Sequence, residues 1–285
     1  MKYSISKDIT TVCKLLNISY SELAKELGVA RSTIMRIVSG QTYPSDMFLE
    51  LFYSFAYENR YHNLRINEFK IRFAKENHQH ILFHGARSQI ELPIDLNHSR
   101  KEIDIGCGFY LGESFEQSSS YIFSNLKASI YLFDVSKTSE LKIKELETSL
   151  EWMLIVSYFR GQLDSYKESK VLKKIIDELD NYDIIIAPIA DNNMYETMNQ
   201  FARGDITDQQ AIYALSASHL GKQHVLKTKK ACQCVEMVDR LYLCKNERKD
   251  IENKRREVAL EANNKAKQMI EANRRIGKYV EEILQ

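Results

Sequence analysis

The chain has 285 residues, enough for one to three domains, and its apolar share of 44% is ordinary for a protein with a buried core. A formal net charge of +1 excludes a strongly charged protein, so any surface for nucleic acid or membranes has to be a local patch. No apolar run approaches the roughly 20 residues that span a bilayer, and the first residues lack the apolar stretch of a signal peptide. We therefore expect a cytoplasmic protein with no membrane segment.

The pattern of apolar and charged residues changes twice along the chain. Residues 1–73 follow a helical pattern, residues 78–245 mix short apolar runs with helices, and residues 246–285 are charged and free of proline. We therefore expect a multidomain protein with an all-α domain, an α+β domain and a long C-terminal α-helix. Scattered cysteines and histidines without ligand spacing predict neither a disulfide framework nor a metal site.

The first block contains two short helical patterns in YSELAKELGVARSTIMRIVSGQTYPS. Ser21 is the expected N-cap of the first helix, and Gly28 suits the turn that ends it. The second helix is expected to open near Arg31 and to end at Gly40. Two short helices joined by a glycine-containing turn predict a helix-turn-helix. Over about residues 8–58, the pattern resembles the Xre/Cro type found in phage repressors.

That resemblance implies that the second helix enters the major groove of DNA. Arginine and hydroxyl side chains suit base edges and phosphates because of their donor geometry. The residues expected to contact DNA are Arg31, Ser32, Thr33, Arg36 and Gln41. The alternative is a helical hairpin that serves only for dimerisation.

The second block opens with a short buried-strand pattern that is followed at once by His84-Gly85. Some twenty residues later, the glycines of DIGCGFYL would let a ligand approach the backbone closely. Tyr110 beside them offers a flat face, and Tyr121, on the helix expected near residue 116, offers a second wall. An aromatic ring that carries an amide, such as nicotinamide, would fit between two such faces.

These residues resemble the ADP-ribosyltransferase superfamily, on the side of diphtheria toxin and the poly(ADP-ribose) polymerases. The shared pattern is His84-Gly85, the run from Gly106 to Tyr110, Ser118 and Tyr121, and the eleven-residue interval between the two tyrosines matches the polymerases. More closely, FHGA, DIGCGFYL, PIADN and KQHVLKTKKA resemble the DUF3990 family over about residues 80–240. The resemblance implies an α+β fold with a split β-sheet and NAD+ in the cleft between its halves.

Roles for single residues follow from the same resemblance. His84 would hydrogen-bond a ribose hydroxyl of NAD+, while the backbone of Gly85 and the hydroxyl of Ser118 would hold the nicotinamide carboxamide. Tyr110 and Tyr121 would stack on the nicotinamide ring. The cofactor implied is NAD+ as a co-substrate, and no metal is implied.

Gln223 stands where the polymerases have a catalytic glutamate. Glutamine can hydrogen-bond the ribose but brings no charge and cannot act as a base. We therefore expect transfer of a single ADP-ribose unit to a macromolecule, either protein or nucleic acid. The resemblance suggests a bacterial or phage toxin, or a toxin-antitoxin component with an antitoxin partner. The alternatives are a transcription regulator whose inactive transferase fold senses NAD+ or a nucleotide, and an NAD+ glycohydrolase.

Two further patterns lie outside this motif set. Residues 152–159 are apolar nearly all round and predict a buried helix. We expect Arg160 at its end to form an ion pair, with phosphate contact as the alternative.

In the tail, apolar residues at steps of three and four predict one amphipathic stripe on a long helix. Its members are Val258, Ala262, Ala266, Met269, Ile276, Val280 and Ile283. The stripe would serve homodimer pairing, packing on the other domains or binding of a partner.

Overall fold

The computed structural model describes residues 5–67, 81–99, 102–124, 127–135, 140–217, 221–274 and 276–285. The predicted boundary between the first two blocks, residues 73–78, lies outside the described residues.

The described part of the N-terminal domain, residues 5–67, contains five helices. They are α1 (Ile5–Leu16), α2 (Tyr20–Glu26), α3 (Arg31–Val38), α4 (Asp46–Glu58) and α5 (61–67). The N-cap of α2 is Ser19 rather than the predicted Ser21, because Ser19 and Glu22 form a capping box. The Glu22 carboxylate accepts a hydrogen bond from the Ser19 backbone N–H at 2.7 Å, while the Ser19 hydroxyl accepts one from the Glu22 N–H at 3.2 Å. Gly28 and Gly40 both have positive φ, as the predicted turns require.

Seven described strands form one sheet in the second block. They are β1 (Ile81–Ala86), β2 (Phe109–Gly112), β3 (Ser129–Asp134), β4 (Ile143–Glu145), β5 (Ile184–Pro188), β6 (Lys222–Leu226) and β7 (Glu236–Tyr242). The order is β4-β5-β6-β2-β1-β3-β7, and each neighbouring pair is antiparallel except the parallel pair β4-β5.

The sheet opens in its middle, between β1 and β2. Among the described residues, Phe83 and Gly112 are the one residue pair that joins these two strands. By contrast, β1 pairs with β3 along its full length, and β2 does the same with β6. The prediction of a sheet split into two is therefore wrong for the described strands, because the Phe83–Gly112 pair still joins the halves. The expected cleft takes the form of an opening inside one sheet.

Helices cover the sheet and complete the largest core. They are α6 (Phe115–Ser119), α7 (Leu150–Phe159), α8 (Lys170–Glu178), α9 (Asn192–Ala202), α10 (Asp208–Ser216) and α11 (Lys229–Gln233). Short 3-10 helices occur at Leu96–His98, Asp164–Tyr166 and Leu179–Asn181. The burial predicted for the helix at 152–159 is confirmed over most of its length, since Trp152 to Val156 are all at most 1% exposed. The Trp152 indole N–H donates to the Pro188 carbonyl at 3.1 Å, which ties α7 to the end of β5.

The tail is two helices rather than one, α12 (Lys245–Ala272) and α13 (Val280–Leu284). The chain turns between them at Gly277, which has a φ of 93°, and the Lys278 N–H donates to the Asp208 carboxylate at 2.7 Å. The single amphipathic stripe is therefore wrong: Val280 is buried in the core of the second block, whereas Val258 is 52% exposed. Of the three uses expected for the tail, the structure shows packing on the preceding domain.

The helix-turn-helix domain shares its core with the second block. Its buried cluster includes Tyr242 at the end of β7 and Cys244 just after it. The ring of Tyr53, on α4, stacks on that of Tyr242 with a centroid distance of 5.2 Å. The two blocks therefore do not pack as independent units.

Buried charges reinforce this contact in an interdomain network around Arg65. The Arg65 guanidinium on α5 forms ion pairs with Asp8 on α1 and with Asp239 on β7. On the same helix, His62 Nδ1 lies 2.9 Å from a carboxylate oxygen of Glu247 on α12. Arg65, His62, Asp8 and Glu247 are all at most 6% exposed. Removing one partner of such a set leaves an uncompensated buried charge.

We predict that Arg65→Ala lowers the free energy of unfolding by about 3 kcal/mol, because Asp8 and Asp239 would lose their shared cation. Chemical denaturation followed by circular dichroism measures the change. Lys127→Ala is the matched control, since Lys127 pairs with Asp46 across the same two blocks on an exposed surface and should change stability by less than about 1 kcal/mol. Equal effects of the two substitutions would contradict the assignment of the network.

Candidate functional site

A cavity of about 570 Å³ lies at the opening between β1 and β2. This sheet-opening cavity is lined by six residues that the sequence predicted to bind NAD+ or to act on it. They are His84, Gly85, Tyr110, Ser118, Tyr121 and Gln223. They come from β1, β2, α6, the turn after α6, and β6. Asp104, Arg160 and Tyr195 also line it and were not among the predicted site residues.

His84 bridges the two strands at the point where their backbone pairing stops. Its Nδ1 lies 2.7 Å from the Tyr110 carbonyl oxygen, which can only accept, so Nδ1 carries the proton. The imidazole stacks on Phe109 with a centroid distance of 4.3 Å. Burial lowers the pKa of His84. The ring is therefore neutral near pH 7, and Nε2 is an acceptor at the cavity.

The Tyr110 side chain is held by its hydroxyl. That hydroxyl donates to the Gly106 carbonyl at 2.7 Å and accepts from the Ile105 N–H at 3.1 Å. Gly106 has a φ of 69°, and a Cβ there would lie 2.4 Å from the Phe159 ring. The loop before β2 thus needs a glycine for its own packing, and it fixes the tyrosine ring as one wall of the cavity.

Gly85 and Ser118 lie where α6 packs closely on β1, and this packing accounts for both residue types. A Cβ on Gly85 would lie 2.3 Å from the Ser118 carbonyl oxygen. The buried Ser118 hydroxyl donates to the Phe83 carbonyl at 3.0 Å, so it can still accept but cannot donate again. Contact of either residue with a ligand stays a prediction.

Tyr121 lies in a turn and not on the helix where the sequence predicted it. Helix α6 ends at Ser119, and the hydroxyls of Ser119 and Ser120 donate to the carbonyls of Glu116 and Gln117 at 3.0 and 2.7 Å. Such side-chain bonds compete with helical continuation. The residue is 46% exposed, so Tyr121 forms the outer wall of the cavity.

Gln223 is oriented by a carboxylate that sequence analysis did not assign to the site. Its amide nitrogen donates to Asp104 Oδ2 at 2.8 Å and lies 3.4 Å from the Pro188 carbonyl oxygen. Both contacts are acceptors, which fixes the amide with Nε2 toward them and leaves Oε1 as an acceptor. Gln223 and Asp104 are 7% and 6% exposed, respectively.

Asp104 is in turn saturated with donors. The Arg160 Nε donates to Oδ1 at 2.9 Å, the Arg160 Nη2 contacts the same oxygen, and the Ala190 N–H donates to Oδ2 at 3.2 Å. The ion pair expected at Arg160 is confirmed. Its guanidinium also lies 5.3 Å from the Tyr195 ring centroid. The only sequence signal for Asp104 was its place at the head of the DIGCG loop.

The residues predicted to contact DNA lie on the surface of the N-terminal domain. All five are exposed and lie on α3 or just beyond it: Arg31, Ser32, Thr33, Arg36 and Gln41. The opposite face of α3 buries Ile34 and Ile37 in the core of the domain. The exposed face is thus free to meet a duplex, as the helix-turn-helix prediction requires.

Within the described ranges, no group of three or more His, Cys, Asp and Glu residues is placed to hold a metal ion. None of the described helices combines the length and apolarity that crossing a membrane requires. All five cysteines are free thiols.

The lowered pKa of His84 predicts how its contribution to stability changes with pH. In the unfolded chain the imidazole protonates near pH 6.5, whereas in the folded protein it stays neutral to lower pH. Stability is therefore lost as pH falls below the unfolded value, because the unfolded state binds more protons. The stability gap between wild type and His84→Gln should narrow from about pH 7.5 to about pH 5.5. Denaturant titrations at each pH measure this gap, and one that stays constant or widens on acidification would contradict the assignment.

Comparison with protein families gives two matches. Residues 80–237 match the family described as protein of unknown function DUF3990, and residues 10–52 match a helix-turn-helix family. No curated protein and no solved structure shows a significant match to the chain. The first match covers more than half of the 285 residues and contains every residue of the sheet-opening cavity. The chain belongs to the DUF3990 family and carries an N-terminal helix-turn-helix of the Xre type.

Proposed function

We propose that this protein binds NAD+ in the sheet-opening cavity and transfers one ADP-ribose unit to a macromolecule, in a bacterial or phage toxin or toxin-antitoxin system. The observation that carries the proposal is the meeting of His84, Tyr110, Ser118, Tyr121 and Gln223 in one cavity. These residues are spread over 140 positions of the sequence, so their meeting depends on the fold and not on sequence proximity.

The cavity offers a fitting partner for each part of the nicotinamide riboside. The rings of Tyr110 and Tyr121 provide an inner and an outer aromatic wall for the nicotinamide. The neutral His84 presents Nε2 as an acceptor for a ribose hydroxyl. The Ser118 oxygen can accept from the carboxamide NH₂, since its own proton is used on Phe83.

Gln223 would act on the ribose at the bond that breaks. The bond between C1′ of the ribose and the nicotinamide nitrogen breaks, and its electron pair leaves with neutral nicotinamide. The sugar becomes cationic until an acceptor atom of the target bonds to C1′ and releases its proton. The oxygen Oε1 of Gln223 can accept from a ribose hydroxyl and turn the negative end of the amide dipole toward that cation.

Asp104 lines the same cavity and would strengthen this effect through Gln223. Its carboxylate accepts from Nε2 of Gln223, and a hydrogen bond on one end of an amide polarises the other end. The Arg160 guanidinium forms an ion pair with Asp104, which compensates a charge that is mostly buried. The site thus gains a polarised neutral acceptor where the polymerases have a charged one, which supports transfer of one unit over elongation of a chain.

Two alternative functions would use the same cavity. A regulator that binds NAD+ or a related nucleotide without consuming it is favoured by Gln223, which brings no charge, and by the shared core that joins the cavity domain to the helix-turn-helix. A glycohydrolase would use water as the acceptor and release free ADP-ribose. In each case the helix-turn-helix would hold the protein on DNA, where it could repress its own operon.

We predict that His84→Ala lowers NAD+ consumption by about two orders of magnitude, the usual scale for losing an oriented polar contact in the transition state. Asp104→Asn should lower turnover more than it lowers NAD+ affinity, because it acts on the polarity of Gln223. Nicotinamide release measures turnover, and equilibrium binding measures affinity. Radiolabelled NAD+ added to lysate fractions, depleted of either protein or nucleic acid, reports the acceptor.

The matched control is His224→Ala, a histidine on the same sheet that does not line the cavity. It should leave NAD+ consumption unchanged. Label on one fraction supports the transferase, and free ADP-ribose alone supports the glycohydrolase. Bound but intact NAD+ would replace the transferase with the regulator, and full turnover by a folded His84→Ala protein would remove His84 from the site.

We also predict that Arg36→Ala weakens DNA binding and reduces the dependence of log affinity on log salt by about 1, the change expected for one lost phosphate contact. Titration of a duplex selected from a random library, at several salt concentrations, measures both quantities. Arg203→Ala is the control, since Arg203 is an exposed arginine paired with Asp205 in the second block. An unchanged affinity in Arg36→Ala would contradict the use of α3 in the groove.

A further inference from the structure

Helix α12 lies outside the DUF3990 match and contacts the turn that carries Tyr121, the outer wall of the cavity. The match ends at residue 237, whereas α12 begins at Lys245. The guanidinium carbon of Arg255, on this helix, lies 5.5 Å from the centre of the Phe123 ring. Phe123 follows two residues after Tyr121, the outer wall of the cavity. An element beyond the family segment thus places a cation beside the turn that carries Tyr121.

Arg255 has no ionic partner among the described residues. Its contact there is the face of the Phe123 ring, which holds the guanidinium without using its five N–H donors. The next residue, Arg256, instead donates to the Glu252 carboxylate at 2.5 Å and is exposed. Arg255 is the more buried of the two. A half-buried arginine whose donors are uncommitted is suited to bind an anion.

The cavity itself has no free positive charge for the diphosphate of a dinucleotide. Among the described residues that line it, Arg160 is the single lysine or arginine, and Asp104 neutralises it. Glu102 adds a negative charge to the same lining. A diphosphate carries about two negative charges near pH 7, so binding of NAD+ gains from a cation placed at the edge of the cavity.

The charge of Arg255 also acts on the Tyr121 hydroxyl. The pKa of the Tyr121 hydroxyl is raised by desolvation, although part of the residue reaches solvent, and by the carboxylates of Asp104 and Asp191. The positive charges of Arg160 and Arg255 act in the opposite direction. Arg255 therefore lies within electrostatic reach of the wall against which the nicotinamide half would stack.

We propose that Arg255 binds the diphosphate of the dinucleotide whose nicotinamide lies between Tyr110 and Tyr121, so that α12 completes the binding site from outside the family segment. This inference rests on the proposed function. It assigns the cation that a dinucleotide requires, and it predicts that ligands with a diphosphate depend on Arg255 while nicotinamide alone does not.

The test compares the affinities of three ligands for three forms of the full-length protein. The ligands are NAD+, ADP-ribose and nicotinamide, and the forms are wild type, Arg255→Met and Arg256→Met. Methionine removes the charge but keeps an aliphatic stem over Phe123, which protects the fold. We expect Arg255→Met to weaken NAD+ and ADP-ribose binding about tenfold, on the scale of a lost charge-assisted hydrogen bond, and to leave nicotinamide binding unchanged. Arg256→Met should bind all three ligands as wild type does.

Each other outcome overturns the inference in a recognisable way. Equal NAD+ affinity of wild type and Arg255→Met would show that Arg255 does not hold the diphosphate. An equal loss in Arg256→Met would show a general effect of helix charge, and a parallel loss of nicotinamide binding would show a disturbed pocket. Failure of wild type to bind NAD+ would remove the proposed function together with the inference, and it is distinguished from the others because it needs no variant.

Discussion

The opening between β1 and β2 is the constraint on which the candidate site depends. Two halves of a sheet meet there through the pair Phe83–Gly112, and the backbone groups beyond that pair need other partners. His84 supplies one by donating to the Tyr110 carbonyl at 2.7 Å. A side chain thus takes the place of a ladder hydrogen bond, and the room that the missing pairs would fill becomes the cavity. The same bond fixes the imidazole tautomer, so structure and site chemistry share one interaction.

One ion pair lies among neutral groups in the cavity lining. Asp104 and Arg160 satisfy one another, and Gln223 receives its orientation from this pair without carrying charge. Burial keeps His84 neutral. Such a lining costs less to bury than isolated charges would, and it presents a substrate mainly with aromatic faces and acceptor atoms. The cavity alone is therefore suited to an uncharged or cationic group, and an anionic group has to be met at its edge.

Local patterns in the sequence predicted what depends on local chemistry. The turn glycines at 28 and 40, the buried helix at 152–159 and the common location of the six motif residues all follow from short-range signals or from the family resemblance. Asp104 was missed because its partners, Arg160 and Gln223, are separated from it by 56 and 119 positions. The tail was predicted as one helix because its apolar spacing continues through residue 277, where a positive φ and a contact with Asp208 redirect the chain. Contacts between residues far apart in the sequence leave no periodic pattern from which they could be predicted.

The core shared between the helix-turn-helix and the end of β7 has a consequence for synthesis of the protein. Tyr53 leaves the ribosome early, but its stacking partner Tyr242 and the neighbouring Cys244 are made about 190 residues later. The N-terminal domain therefore lacks part of its interior throughout most of translation. A prematurely terminated chain would yield neither a finished DNA-binding domain nor a closed cavity. Both parts would mature together, after the last strand of the sheet has emerged.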